Sequence, residues 1–299
     1  MKLGRQRQGE LFIFSEATLW ALFPIVTVFS YSSLSPLMSL AGSTIFSILF
    51  FALAVGLKKR WREFKNKEAM KDVLWIALII GVGYYSLIFL GLNYTSPGNA
   101  SIIAFTAEIL FSFIFFHLWR KDYIPLNHLM GAMLMATAAG IVLYPNTTSL
   151  NHGDLLILLA AAVPPLGNFF QQRARKKISS ESIMLGRSLI SAVAIMALAL
   201  IFGGPVKIID LKTSILFLLI NGFLLMGLSK ILWIEGIHRI SVTKATSLST
   251  IAPILTILFS WFFLQQSPTG GQLLAIIPMI LGVGFLATPA KEPTMSDTR

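Results

Sequence analysis

Residues 91–110, GLNYTSPGNASIIAFTAEIL, have a counterpart 145 residues later at 236–255, GIHRISVTKATSLSTIAPIL. A second pair lies near the start of each half. Residues 9–22, GELFIFSEATLWAL, match residues 153–166, GDLLILLAAAVPPL, at an offset of 144 residues. Two matches in the same order and at nearly the same offset indicate that the chain contains an internal repeat.

The composition is that of an integral membrane protein. Hydrophobic residues make up 55% of the 299 positions, charged residues only 12%, and the mean hydropathy is +0.76. A soluble protein of this size needs more charge to cover its surface, whereas a surface that faces lipid needs none. Ten apolar stretches fall in or near the range of about 17–25 residues that a membrane-spanning helix requires. They cover residues 11–31, 37–57, 73–92, 99–118, 126–143, 154–172, 183–202, 214–236, 243–264 and 271–287.

The repeat and the charges together predict the topology. Each copy, at 1–148 and 149–299, contains five spans, and because five is odd the second copy must enter the membrane from the opposite side. Of the 24 Lys and Arg residues, 20 fall on one side of the predicted spans, two on the other and two inside spans. This bias predicts that both termini are cytoplasmic. We expect an all-α, multi-pass protein of the inner (cytoplasmic) membrane, with ten transmembrane helices as two inverted five-helix repeats.

In these features the chain resembles the drug/metabolite transporter superfamily, specifically its EamA-type members with ten helices. The resemblance is carried by the opening GELFIFSEATLWALFP, the start of the fourth span at 92–100, its counterpart at 237–245, and Pro253 in the ninth span. It implies a carrier for small metabolites such as amino acids, with a central cavity. It does not fix the substrate, and Glu108 stands where a proline is usual in the family.

Glu108 lies near the middle of the fourth span. A charge at this depth costs at least about 2.5–3.5 kcal/mol, so the carboxyl group must face protein or water, or be protonated. Ser101, Phe105 and Ser112 share its helix face, and the ninth span has a similar stripe of Thr246, Ser249, Pro253, Thr256 and Ser260. The two stripes are predicted to be facing walls of one cavity. Glu108 is then either a substrate or proton site, or a structural carboxyl bonded to neighbouring hydroxyls.

Two basic residues also fall inside spans. Lys230, in the eighth span, can pair with Glu108, bind a substrate carboxylate, or extend to the membrane interface. Arg187 and Glu235 lie closer to the cytoplasmic side, and we expect structural or gating ion pairs for both. In the first span, Glu16 and the rings of Trp20 and Phe23 follow helical spacing, which suits either an organic cation or simple helix packing.

Prolines interrupt the spans at matched places in the two copies. Pro24 lies in the first span and Pro164 and Pro165 in the sixth. A proline inside a helix frees a backbone carbonyl, which is tolerated in lipid only against protein or a wet cavity. Matched interruptions in inverted repeats indicate a transport site, although packing kinks are the alternative. Asn168, one turn after Pro164, adds an amide there.

The candidate functional residues form two sets. The predicted substrate-binding residues are Trp20, Phe23, Ser101, Phe105, Glu108, Asn168, Lys230, Trp233 and Ser249. The predicted coupling or gating residues are Glu16, Pro24, Glu108, Pro164, Pro165, Arg187, Glu235 and Pro253.

The function predicted from the sequence is secondary transport of a small polar metabolite, such as an amino acid or related zwitterion, with proton coupling through Glu108 as a hypothesis. Export of organic cations or drugs is the alternative. The chain has no cysteine and no ATP-binding, nucleophile or metal-ligand motif, so we expect no enzyme activity, cofactor or metal. Most of the Lys and Arg lie in short loops between spans, where they report topology, so we expect no nucleic-acid partner despite the net charge of +11. Ala132, Ala136 and Gly140 form a ridge of small residues in the fifth span, which favours close contact within the bundle or in a homodimer.

Overall fold

The protein is a bundle of membrane-spanning helices. A computed structural model describes residues 4–120, 126–144, 151–204, 208–240, 245 and 248–287, and within these ranges all regular structure is helical. The first five spans are Arg5–Ser30, Pro36–Leu57, Lys67–Leu92, Pro97–Arg120 and Leu126–Leu143. The next five are His152–Arg175, Ser180–Phe202, 208–237, Ile251–Leu264 and Gly270–Ala287. A short 3-10 helix, Trp61–Lys65, precedes the third span.

Corresponding spans of the two copies run antiparallel. Ser35, just before the second span, packs against Gly203 at the end of the seventh, and Lys58 at the end of the second pairs with Glu181 at the start of the seventh. The fifth and tenth spans are related in the same way, since Gly131 packs against Leu286. The second copy is therefore inverted relative to the first, which confirms the predicted fold class of two inverted five-helix repeats.

One end of the bundle carries a network of ion pairs between the two copies. We call this end, where the second and sixth spans finish and the third and seventh begin, the basic face. Here Arg173 donates from Nε to both carboxylate oxygens of the buried Asp72, at 2.9 Å each. Glu181 accepts from Lys58 and, at 3.1 Å, from Arg60. The ion pairs join the second and third spans to the sixth and seventh at this face.

Two spans contain π-helical segments at matched positions, which the sequence analysis did not anticipate. They are Ala77–Tyr84 in the third span and Ile220–Leu228 in the eighth. A π segment widens the helix by one residue and is frequent at functional sites. Glycines allow close helix contact in both: a Cβ at Gly81 would lie 2.6 Å from the Cβ of Ser191, and a Cβ at Gly222 only 2.1 Å from the Ser43 carbonyl oxygen.

The prolines differ in whether they interrupt their helices. The predicted interruption at Pro24 is wrong, because the helix Arg5–Ser30 runs through it; a proline inside a helix need only remove one backbone hydrogen bond. In the sixth span a helix ends at Ala161 and a new one begins at Pro164, as the sequence predicts. A turn at Thr250 precedes Pro253, which lies in the first turn of the helix Ile251–Leu264.

The fifth span packs on the tenth through Gly131 and Met135, neither of which belongs to the predicted ridge of small residues. Of the ridge residues, Ala132 is buried, whereas Ala136 and Gly140 are exposed. Two of the three ridge residues therefore make no close contact within the described part of the bundle. Contact with a second copy of the chain stays a prediction.

Candidate substrate cavity

A cavity of about 490 Å³ lies between the two copies. Its wall contains side chains of the first, third, fourth, sixth, seventh and eighth spans, together with Ser249. The aromatic part of the wall consists of Trp20, Tyr84, Tyr85, Phe105 and Trp233. The polar part includes two carboxylates, two cations and two amides, which are Glu16, Glu108, Arg187, Lys230, Asn168 and Gln171. Apolar walls with a few polar groups are typical of small-molecule sites.

The cavity extends from the middle of the bundle towards the basic face. Glu108 lies near the middle of the fourth span, whereas Gln171 lies four residues before the end of the sixth span, close to the basic face. On the opposite side, buried hydrogen bonds join the first and eighth spans. Asn221 Nδ2 donates to Thr27 Oγ1 at 2.9 Å, and Ser214 Oγ donates to the Ser30 carbonyl at 3.2 Å. These contacts hold the halves together beyond the end of the cavity.

Lys230 has two neighbours that stabilise its charge. Its ammonium nitrogen lies 3.6 Å from Glu16 Oε1 and 3.2 Å from the centre of the Trp20 ring system. Trp20 in turn stacks on Phe23, with ring centres 4.5 Å apart and planes 7° from parallel. Of the three roles that the sequence left open for Lys230, the structure therefore places it in an ion pair, with Glu16 rather than with Glu108.

Glu108 lines two adjoining cavities. The second, of about 80 Å³, shares Trp20, Tyr84, Phe105 and Glu108 with the larger one. Its remaining wall includes Phe23, Pro24, Ser101 and Pro253. Glu108 makes no hydrogen bond or ion pair with a residue in the described part of the chain. Its carboxyl group is therefore available to a ligand or a proton at the junction of the two cavities.

The polar stripes of the fourth and ninth spans face each other. Ser101 Oγ donates to Thr256 Oγ1 at 3.2 Å, and Thr256 also donates to the carbonyl of Ala21 in the first span. Ser249 and Ser112 line the larger cavity. Thr246, which the sequence assigns to the same stripe, lies outside the described residues.

The expectation of structural or gating ion pairs fits Glu235, which makes a local pair, but not Arg187. Glu235 pairs with Arg239, in the turn that follows its helix, and is not among the cavity-lining residues. Pro165 likewise does not line the cavity, whereas Pro164 does. Arg187 lines the cavity, is only 4% exposed, and has its guanidinium 5.5 Å from the centre of the Tyr85 ring. No carboxylate in the described ranges pairs with it, so depth in the membrane was a poor guide to its partner.

The comparisons with known proteins match this architecture. The model of the EamA-like transporter family matches twice, at residues 7–144 and 151–288. The chain belongs to the EamA-like transporter family. Two relatives from Bacillus subtilis (strain 168) are described as uncharacterized transporters: YoaV, 23% identical over 79% of this chain and 80% of its own length, and YyaM, 26% identical over 91% and 89%.

A crystal structure supports the same fold for this EamA-like transporter. It superposes with a TM-score of 0.68 at 17% sequence identity, covering 94% of this chain and 97% of the other. At this identity the likeness concerns the fold alone. The family and the fold together make the chain a multi-pass membrane transporter.

Several cavity residues escaped the sequence analysis. Tyr84 and Tyr85 lie at the end of the π-helical segment of the third span, and Gln171 lies one turn beyond Asn168. Gly83 and Gly227 lie 144 residues apart, at the repeat offset, and each belongs to a π-helical segment, so the repeat relates the two segments but does not single out the tyrosines. The Gln171 amide could have been predicted, since Gln171 shares one helix face with Asn168.

Proposed function

We propose that this EamA-like transporter carries a small zwitterionic metabolite, such as an amino acid, across the cytoplasmic membrane by alternating access. The observation that carries the proposal is a mid-membrane cavity whose wall combines a free carboxyl group, Glu108, with cations, amides and aromatic rings. Glu108 is suited to bind the substrate's ammonium group. The rings of Trp20 and Tyr84, beside Glu108, offer an apolar wall for the rest of the molecule.

The inverted repeat supplies a physical basis for alternating access. Two copies of opposite orientation can exchange conformations, so that one site faces each side of the membrane in turn. The cavity now extends towards the basic face. Cytoplasmic loops are rich in Lys and Arg, and the basic face carries such loops, so we assign it to the cytoplasm together with both termini. The proposed state is thus open to the cytoplasm.

Export of an organic cation is the second candidate function. It is favoured by the aromatic walls and by the engagement of Lys230 with Glu16 and Trp20, which lowers the positive field that a cation would meet. Against it stands Arg187, a second buried cation in the same cavity. A zwitterion satisfies both signs of charge, whereas a cation satisfies only Glu108.

Glu108 is also the proposed proton site. A carboxyl group without an ion partner, at mid-depth and in contact with a cavity, can bind either a proton or a substrate ammonium group. If it exchanges one for the other, substrate movement is coupled to a proton gradient. The partner interactions proposed are therefore a small-molecule substrate and the surrounding lipid.

Counterflow in reconstituted vesicles tests the function. Vesicles preloaded with unlabelled amino acid should accumulate the labelled form, and Glu108→Gln should lower the rate at least tenfold, because a charged hydrogen bond contributes about 1.5–3 kcal/mol. Glu68→Gln is the matched control, since that side chain is 77% exposed at the basic face. Transport by Glu108→Gln at the wild-type rate and with no dependence on pH would contradict the role of Glu108.

A further inference from the structure

The two cations of the cavity are not equivalent. Lys230 already lies between Glu16, at 3.6 Å, and the Trp20 ring, at 3.2 Å. Arg187 is more deeply buried, at 4% exposure, yet none of its N–H groups bonds to a residue in the described ranges. Among the described residues, its guanidinium interacts with the Tyr85 ring, whose centre lies 5.5 Å away. Arg187 is thus the cation whose hydrogen-bonding capacity is left for a ligand.

The elements packed around Arg187 offer polar groups but no negative charge among the described residues. On the third span, Gly81 leaves room for the arginine stem: a Cβ there would lie 3.5 Å from Arg187 Cγ. On the seventh span, Ser188 and Ser191 are buried near it, and Ser188 is bonded to Ser47 of the second span at 3.3 Å. The carboxylates of the cavity, Glu16 and Glu108, lie on the first and fourth spans and make no bond to it.

A buried guanidinium without an anion is unfavourable unless another group supplies the charge. Arginine also differs from lysine in presenting a planar fork of N–H donors that matches the two oxygens of a carboxylate. The Tyr85 ring stabilises the guanidinium through a cation–π contact and leaves donors of the fork for a ligand. Because Arg187 also lines the cavity, such a ligand can reach it from the substrate volume.

We infer that Arg187, supported by Tyr85, is the subsite for the carboxylate of the transported zwitterion, while Glu108 receives its ammonium group. The inference rests on the proposed function and specifies how the substrate is oriented. It commits to a monoanionic carboxylate, because Glu16 and Glu108 in the same cavity repel a dianion such as phosphate. Lys230 then serves to neutralise Glu16 rather than to bind the substrate.

The test compares amino acids with amines that lack only the carboxylate. Labelled leucine and phenylalanine are exchanged by wild-type protein, Arg187→Gln and Arg187→Lys in proteoliposomes, with isopentylamine and phenethylamine as competitors. In wild type, each amine should compete at least tenfold less well than its amino acid. Arg187→Gln should weaken amino-acid affinity at least tenfold and leave amine affinity within twofold. Arg187→Lys keeps the charge but loses the planar fork of donors, so its amino-acid affinity should lie between those of wild type and Arg187→Gln.

The outcomes separate the subsite from the function. Suppose that wild type exchanges the amino acids. If Arg187→Gln then binds them as tightly as wild type, or loses affinity for amines and amino acids equally, the subsite is wrong and the proposed function stands. If wild type exchanges neither labelled amino acid but does exchange the two amines when these are labelled instead, the proposed function itself fails. Should Arg187→Gln not fold, the wild-type comparison still decides, because equal competition by amines and amino acids overturns the carboxylate subsite.

Discussion

The ion pair of Glu16 and Lys230 allows a quantitative test of how much the charged groups of the cavity stabilise each other. The two side chains are 6% and 20% exposed, and the nitrogen and oxygen lie 3.6 Å apart. At an effective dielectric constant of about 20, unit charges at that distance attract by about 4.6 kcal/mol. Loss of hydration cancels much of this gain, but removal of one partner leaves the other charge buried and alone, which typically costs about 3–5 kcal/mol.

We therefore expect Glu16→Gln and Lys230→Met each to lower the free energy of unfolding by about 3 kcal/mol, the low end of that range, because the cavity admits some water to both groups. The double variant should lose far less than the sum of about 6 kcal/mol, since neither charge is then left unpaired. A coupling free energy of at least about 2 kcal/mol is expected from the double-mutant cycle.

The assay is unfolding of the purified protein in mixed micelles by increasing SDS, followed by circular dichroism. Glu68→Gln, at the exposed basic face, is the control for a carboxylate outside the cavity and should change the free energy little. If the double variant loses the full sum of the two single losses, Glu16 and Lys230 do not stabilise each other. The assignment of Lys230 to Glu16, and with it the special position of Arg187, would then be refuted.

Two further predictions concern regions outside the cavity. Gly222→Ala should lower the free energy of unfolding by about 3 kcal/mol in the same SDS assay, because its new Cβ would lie 2.1 Å from the Ser43 carbonyl oxygen and backbone atoms cannot move away locally. Gly284→Ala is the control and should leave that free energy unchanged, because nothing lies within 4 Å of its Cβ position. Equal losses in the two variants would contradict the close contact at Gly222. The second prediction concerns the dependence of stability on pH through Glu63. Its burial raises the pKa, but the hydroxyl and N–H of Ser179 donate to it at 2.6 and 2.8 Å, so the net pKa lies below 4.5. Its stabilisation is present above that value and lost as the pH falls through the lower folded pKa, so Glu63→Gln should lose less stability than wild type between about pH 5 and about pH 3.

The sequence predicted the parts of the structure that follow from solvation. The lengths of the apolar stretches predicted the spans, the Lys and Arg bias predicted their orientation, and the repeat predicted the inversion. These predictions were possible because few backbone structures can cross a lipid bilayer. The same reasoning led to Glu108 and Asn168, both of which line the cavity. A polar group at mid-depth must face something other than lipid, so its direction is predictable even when its role is not.

The parts that escaped prediction depend on local backbone geometry and on which partner is nearest. A π segment adds one residue to a turn without changing composition, so Ala77–Tyr84 left no signal in a single copy. For Arg187, depth indicated an ion pair near the cytoplasmic side, but no carboxylate in the described ranges pairs with it, whereas Glu235 pairs with Arg239. Pro24 shows the same limit, because a helix can continue through a proline when its surroundings hold it. The roles assigned to the cavity residues stay predictions until transport is measured.

The cavity holds two acidic and two basic side chains in the described part of its wall, and their formal charges cancel. A membrane potential acts only on net charge that moves, by about 2.3 kcal/mol per elementary charge per 100 mV. In the proposed carrier, neither the empty cavity nor one filled with a zwitterion carries net charge, so voltage should not favour either direction of turnover. A proton bound at Glu108 changes this balance by one charge, and the electrical current per cycle would therefore report protons, not substrate molecules.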